Sequence, residues 1–226
     1  MTTAEGDYTG STEGKAEDNS LGRLLTLSDG VFAIAMTLLA LDLRVPDLPE
    51  PVTNTALMAE LGRELPSILT FLLSFYVVAS YWASHHRLMR SVTTTHRKLL
   101  RRTLLLLLLV AAMPFPTSLL GRYGSVPIAL ALYGAVNVLA VLLLLWLRHD
   151  VESFGLAAGP VDPDEWRWSG WELRGNLVVF LLCIPAGYVL GDKGPYVLLL
   201  LVVSSRAAPA WQRWRRRGSE QVQVGR

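Results

Sequence analysis

Six stretches of the chain are apolar and of a length that fits, or nearly fits, a bilayer crossing: Leu24–Leu43, Leu65–Ala83, Leu99–Leu120, Val126–Leu147, Leu173–Leu190 and the shorter Tyr196–Trp211. A hydrocarbon core takes about 20 apolar residues as a helix. It offers no partner to bare backbone groups, so each stretch is expected to be helical. The pattern predicts an all-α membrane protein with six transmembrane helices per chain. Pro114 and Pro116 sit late in the third stretch and are expected to kink or end it, and Pro185 to bend the fifth. Trp82, Trp146, Trp211 and Trp214 fall at stretch ends, where aromatic side chains anchor in the headgroup layer.

Composition narrows the class. Of 226 residues, 51% are hydrophobic and 18% charged, against about 25% charged in soluble domains. Mean hydropathy is positive, +0.35. The one cysteine, Cys183, allows no intrachain disulfide and no cysteine-rich metal site. The basic residues are not arranged around a soluble fold, which argues against a nucleic-acid partner. Residues 1–22 are acidic and rich in Gly, Ser, Thr and Glu, without the basic start and apolar stretch of a signal peptide. They read as a disordered cytoplasmic tail, followed by a six-helix membrane domain over 23–211 and a basic cytoplasmic tail over 212–226.

The net charge of +2 hides an uneven distribution. With the N-terminus inside, the loop between the second and third stretches faces the cytoplasm with Arg87, Arg90, Arg97, Lys98, Arg101 and Arg102. Arg148, Arg167, Arg174 and the C-terminal arginines also face in, and only Arg44, Arg63, Arg122 and Lys193 face out. The positive-inside rule selects this orientation, with both termini cytoplasmic, and the basic segments are suited to anionic lipid headgroups. Arginine far outnumbers lysine, which fits a GC-rich bacterium and hence a plasma (inner) membrane.

Charge inside a span is costly and usually functional. Ser28 and Asp29 lie about one turn in from the cytoplasmic edge of the first stretch, while Asp42 lies near the other edge. The second stretch runs the opposite way and exits at Tyr81–Arg87, so Trp82, His85 and His86 reach the depth of Asp29. A histidine donating to Asp29 is the first expectation, and Arg23 a second candidate. Such a network either locks two helices together or, because histidine titrates near neutral pH, relays protons or gates. Further along, Ile34, Thr37, Leu38 and Leu41 share one helical face at i, i+3, i+4 and i+7. The small residues Ala33 and Ala40 are expected on the opposite, packing side. This spacing is that of ordinary helix packing and by itself shows no pore.

The stretch from Arg23 to Leu43, with Arg23, Ser28 and Asp29 in an Arg-x-x-x-Phe-Ser-Asp pattern, resembles the prokaryotic branch of the endosomal/lysosomal transmembrane potassium channels. Leu27 replaces the phenylalanine of that pattern, which removes any stacking contact of the ring. Tyr81-Trp82 with His85-His86, and the Pro114-Phe115-Pro116-Thr117 segment, extend the likeness. The resemblance implies a potassium-permeable homotetramer with a central pore lined by the first helix and K+ as the permeant ion, without cofactor. It implies that Ile34, Thr37, Leu38 and Leu41 line the narrow path. Ile34 would be a hydrophobic constriction, and the Thr37 hydroxyls would replace part of a cation's hydration shell. Arg23, Ser28 and Asp29, with Trp82, His85 and His86, would hold span one against span two.

Two other classes fit the composition. A proton-coupled secondary transporter is expected to show internal repeats and broken helices at matching positions. The Ser-Asp-Gly of the first stretch has no counterpart in the fourth. A membrane enzyme needs a cluster of catalytic groups. The spans offer only scattered Ser74, Ser80, Asn137 and Asn176, and the adjacent His85-His86 lacks the spacing of a metal pair on one helical face.

Overall fold

A computed structural model describes residues 9–44, 46–48, 50, 52–92, 97–154, 163–198 and 200. The described residues are helical almost throughout: α1 (Thr9–Ala40), α2 (Asn54–Arg90), α3 (Arg97–Ala112), α4 (Pro114–Tyr123), α5 (Pro127–Ser153) and α6 (Pro163–Leu190), then a 3-10 turn over Gly191–Leu198. Among the described residues, five segments are long and apolar enough to cross a membrane, Leu21–Ala40, Asn54–Arg90, Arg97–Tyr123, Pro127–Ser153 and Ser169–Leu190. They coincide with the first five stretches read from the sequence. Of the sixth stretch, residues 196–198 fall in the 3-10 turn, and residues 201–211, like Trp214, lie outside the described residues. The helix α1 begins at Thr9, within the segment whose composition suggests an irregular tail. Helix propagation from an established span is much easier than nucleation.

Local chemistry explains the boundaries. Thr53 caps α2, its hydroxyl accepting from the Ala56 N–H at 3.2 Å. α2 then runs 37 residues, about 55 Å at the rise of an α-helix. It is therefore longer than a hydrocarbon core is thick. The third span is interrupted at Met113, where α3 gives way to α4 at Pro114, as expected of a residue that cannot complete the helical ladder. α6 continues through Pro185 and stops at Gly191. That glycine has φ +52°, the left-handed conformation that favours glycine after a helix.

The helices fall into two compact units, Met1–Arg122 with Leu142–Val161, and Tyr123–Val141 with Asp162–Arg226. In the first, α1 packs on α2 and α3. Its packed face is Leu21, Leu24, Ser28, Phe32, Ala35 and Leu39, all buried and spaced three or four apart. Ala33 and Ala40 lie among the exposed positions instead. At 100° per residue, the side opposite Ile34 is that of Phe32 and Leu39. Polar pairs tie the same unit together: Thr117 donates to Ser74 at 3.1 Å, joining α4 to α2.

The basic start of α3 is absorbed in the same unit. Arg102 forms an ion pair with the buried carboxylate of Asp150 and donates to the Trp146 carbonyl at 3.2 Å. Its guanidinium lies 5.5 Å from the Trp146 ring centroid, and the Lys98 ammonium stands 5.5 Å from that of Phe154. Trp146 thus packs on a cation as well as sitting at a span end.

In the second unit, Gly134 of α5 allows close approach of α6. A Cβ there would lie 2.9 Å from the Phe180 carbonyl oxygen and 3.2 Å from the Cys183 Cβ. Tyr133 meets Phe180 edge-on at 6.3 Å. Asn137 is buried and donates to the Tyr133 carbonyl at 2.8 Å, a helix-internal use of its amide.

Gly134→Ala is expected to destabilise the protein by about 1–3 kcal/mol, because the backbone it would strike cannot swing away. Gly175→Ala on α6, with nothing within 4 Å of the added carbon, is expected to leave stability unchanged or raise it slightly. Melting temperatures of the purified variants in detergent check both. A second comparison concerns Asp150→Ala, which strands the Arg102 charge and is expected to cost about 3 kcal/mol.

Candidate functional site: the two faces of α1

The rotation of α1 divides its side chains into two sets. Ser28, on the packed face, is fully buried and donates to the Leu24 carbonyl at 2.8 Å, so its hydroxyl is satisfied within the helix. The next residue, Asp29, is exposed and accepts a 2.8 Å hydrogen bond from the Trp82 indole N–H of α2. A charged acceptor makes this one of the stronger bond types.

Around that bond the two histidines take different places. The His86 ring stacks on Trp82 at 5.2 Å and 27°, backing the indole that holds Asp29. His85 is buried and lies against Phe32 of α1 at 5.9 Å. The buried His85 Nε2 and His86 Nδ1 have no hydrogen-bond partner among the described residues. The bond to Asp29 comes from Trp82, in place of the histidine or Arg23 expected from the sequence. Arg23 is exposed on α1, and Leu27 is 49% exposed. Phe32 was not singled out by sequence reasoning. Its signal was present as the packed face one turn from Ser28.

The other face of α1 carries the four candidates together. Ile34, Thr37, Leu38 and Leu41 are all exposed, Ile34 by 60% and Leu41 by 63%. Large aliphatic side chains at span depth are thus turned away from their own bundle. Thr37 is the hydroxyl among them, and it donates to the Ile34 carbonyl at 2.8 Å. With its proton committed to the backbone, the oxygen presents lone pairs outward as an acceptor. No group of three or more His, Cys, Asp or Glu side chains suited to a metal ion occurs among the described residues.

These features define a class: an all-helical, multi-pass membrane protein whose first helix is pinned on one side and bare on the other. The family described as endosomal/lysosomal potassium channel TMEM175 matches residues 23–114, from Arg23 through α3 to Pro114. A potassium channel of Chamaesiphon minutus is 36% identical over 154 residues, 66% of this chain and 75% of that protein. One of Streptomyces collinus is 39% identical over 105 residues, 46% of this chain and 50% of its own length. The crystal structure of a lysosomal potassium-selective channel TMEM175 homolog from Chamaesiphon minutus superposes with a TM-score of 0.71 at 27% identity, covering 84% of this chain and 98% of that one. The chain belongs to the TMEM175 potassium channel family, a family of channels and not of enzymes.

Removing the indole donor with Trp82→Phe keeps a ring for His86 to stack on. A double-mutant cycle of Trp82→Phe and Asp29→Ala is expected to give a coupling of about 1–2 kcal/mol, read from denaturation in detergent. Additive effects would show that the bond contributes nothing to holding α1.

Proposed function

We propose that the chain forms a homotetrameric potassium channel with one α1 from each copy around a central ion path, lined by Ile34, Thr37, Leu38 and Leu41. The observation that carries this reading is the bare face of α1: aliphatic side chains and one hydroxyl at span depth, turned away from α2 and α3 of its own unit. A ring of Ile34 side chains narrows the path and excludes water, so that wetting of this ring sets conduction. Thr37 oxygens, their protons held by the Ile34 carbonyl, replace part of the hydration shell of K+. Leu38 and Leu41 lengthen the dry section.

Asp29 has two roles in this account. Its bond to Trp82 fixes the rotation of α1, and its negative charge raises the local cation concentration at one mouth. Ser28, His85, His86 and Arg23 support that end of α1 through packing and charge. The protein sits in a bacterial plasma membrane with both termini cytoplasmic. Arg97 and Arg101, exposed at the start of α3, meet anionic headgroups, whereas Lys98 and Arg102 are turned onto Phe154 and Trp146.

Ion flux in liposomes holding the purified protein tests the reading. A potassium gradient is expected to drive flux, and Ile34→Ala to raise it severalfold by widening and wetting the constriction. Thr37→Ala is expected to lower the preference for K+ over Na+. No flux in either wild type or Ile34→Ala contradicts the proposal, and an unchanged ion preference in Thr37→Ala removes Thr37 from selectivity.

A further inference from the structure

At the end of α1 away from Asp29, a cavity of about 400 Å³ opens between α1, α2 and α4, within the range of small-ligand sites. Its walls are ordered by polarity. One side is lined by Leu39 of α1, Phe71 of α2 and the hydroxyl-bearing Thr117 of α4, the other by Arg44 just past the end of α1, Arg63 and Glu64 of α2, and Arg122 of α4. From Leu39 to Arg44 and from Thr117 to Arg122 the chain runs toward the charged residues, and along α2 it runs away from them to Phe71. The apolar span of α1 ends at Ala40, so this gradient crosses the boundary between hydrocarbon and headgroups.

The charges are of both signs and unequally committed. Arg63 is bound to Glu60 at 2.8 Å. Arg122 is only 3.8 Å from Asp42, with both side chains partly exposed, a spacing open to competition. Arg44 donates through Nε to the Leu41 carbonyl at 3.3 Å, and its remaining guanidinium N–H groups are exposed. Glu64 has no ion pair among the described residues.

We propose that this cavity binds a zwitterionic phosphate–ammonium group, the headgroup chemistry of phosphatidylethanolamine. Arg44 and Arg122 hold the phosphate, whose oxygens suit guanidinium forks. Glu64 and Asp42 accept from the ammonium. A simple anion leaves both carboxylates facing it, and a simple cation leaves the arginines facing it; a zwitterion satisfies both sets. The half-buried Phe71 ring takes the first carbons of an acyl chain, which favours a lipid over a free headgroup. Seated there, the ligand competes with Asp42 for Arg122 and so loosens the tie between the end of α1 and α4.

Native mass spectrometry of the full-length protein in detergent tests this without reference to conduction, so its outcome stands apart from that of the permeation reading. The probes are phosphatidylethanolamine, phosphatidylcholine, whose quaternary ammonium has no N–H, and phosphatidylglycerol, which has no cation. Phosphatidylethanolamine is expected to bind about tenfold more tightly than either, the ratio of one retained charged hydrogen bond. Glu64→Gln is expected to erase its advantage over phosphatidylglycerol, and Arg44→Gln to weaken all three lipids. Arg44 is exposed, and an unchanged melting temperature shows that its variant folds. Equal retention of the three lipids, or an unaltered preference in Glu64→Gln, overturns the proposal. Displacement by soluble phosphoethanolamine at similar concentration assigns the site to the free headgroup; resistance to it assigns the site to the lipid.

Discussion

The hydrogen bond from the Trp82 indole to Asp29 joins α1 to α2 on one side of α1, and the ion path we propose depends on the rotation of α1 that goes with that bond. A helix turns 100° per residue. A slip of one position would replace Ile34, Leu38 and Leu41 on the bare face by Ala35, Leu39 and Asp42. It would also carry the bulk of Phe32 out of its contact with His85. An apolar helix in lipid has little else to fix its rotation, since lipid and protein surroundings are nearly equivalent for leucine. A charged acceptor at one position and an N–H donor at the same depth on the neighbouring helix remove that freedom. The His86 ring stacked on the indole and the buried Ser28 bonded to Leu24 keep the pinned side compact.

The same economy governs the start of α3 in the first unit. Arg102 enters the bundle from a basic segment and is satisfied three ways, by the Asp150 carboxylate, the Trp146 carbonyl and the Trp146 ring. A buried charge is tolerated when paired and hydrogen-bonded. The arrangement joins α3 to the end of α5 and leaves Arg97 and Arg101 for the aqueous or headgroup side. Positive charge in this loop therefore serves packing as well as orientation. In the second unit the close approach of α5 and α6 depends on small size at Gly134, because the partner atom there is a backbone carbonyl.

The spans were legible because length and hydropathy alone mark them, and the break at Met113 because proline cannot complete the helical ladder. The grouping of Ile34, Thr37, Leu38 and Leu41 on one face was legible from spacing, and all four share the exposed side. Which residues lie opposite was misread, since Ala33 and Ala40 flank that face and the packed side belongs to Phe32, Ala35 and Leu39. The partner of Asp29 was legible only to its depth. Trp82, His85 and His86 all reach it, and choosing among them requires the rotation of α2, a helix apolar on most sides. The ion pair of Arg102 with Asp150 joins residues 48 apart in sequence, and no local pattern connects them. The cavity beside Asp42 is likewise a product of three helices meeting, invisible along any one of them.

The central claim is that the bare face of α1 looks into an ion path between copies of the chain, whereas other exposed apolar residues look into lipid. Thiol modification separates the two. In a Cys183→Ala background, Leu38→Cys and Val189→Cys place one reactive group each on exposed positions, the second on α6 at 78% exposure. Potassium flux in liposomes is measured before and after a cationic methanethiosulfonate reagent, at matched extents of labelling. The account predicts loss of flux for Leu38→Cys and no change for Val189→Cys. Undiminished flux through labelled Leu38→Cys would contradict it.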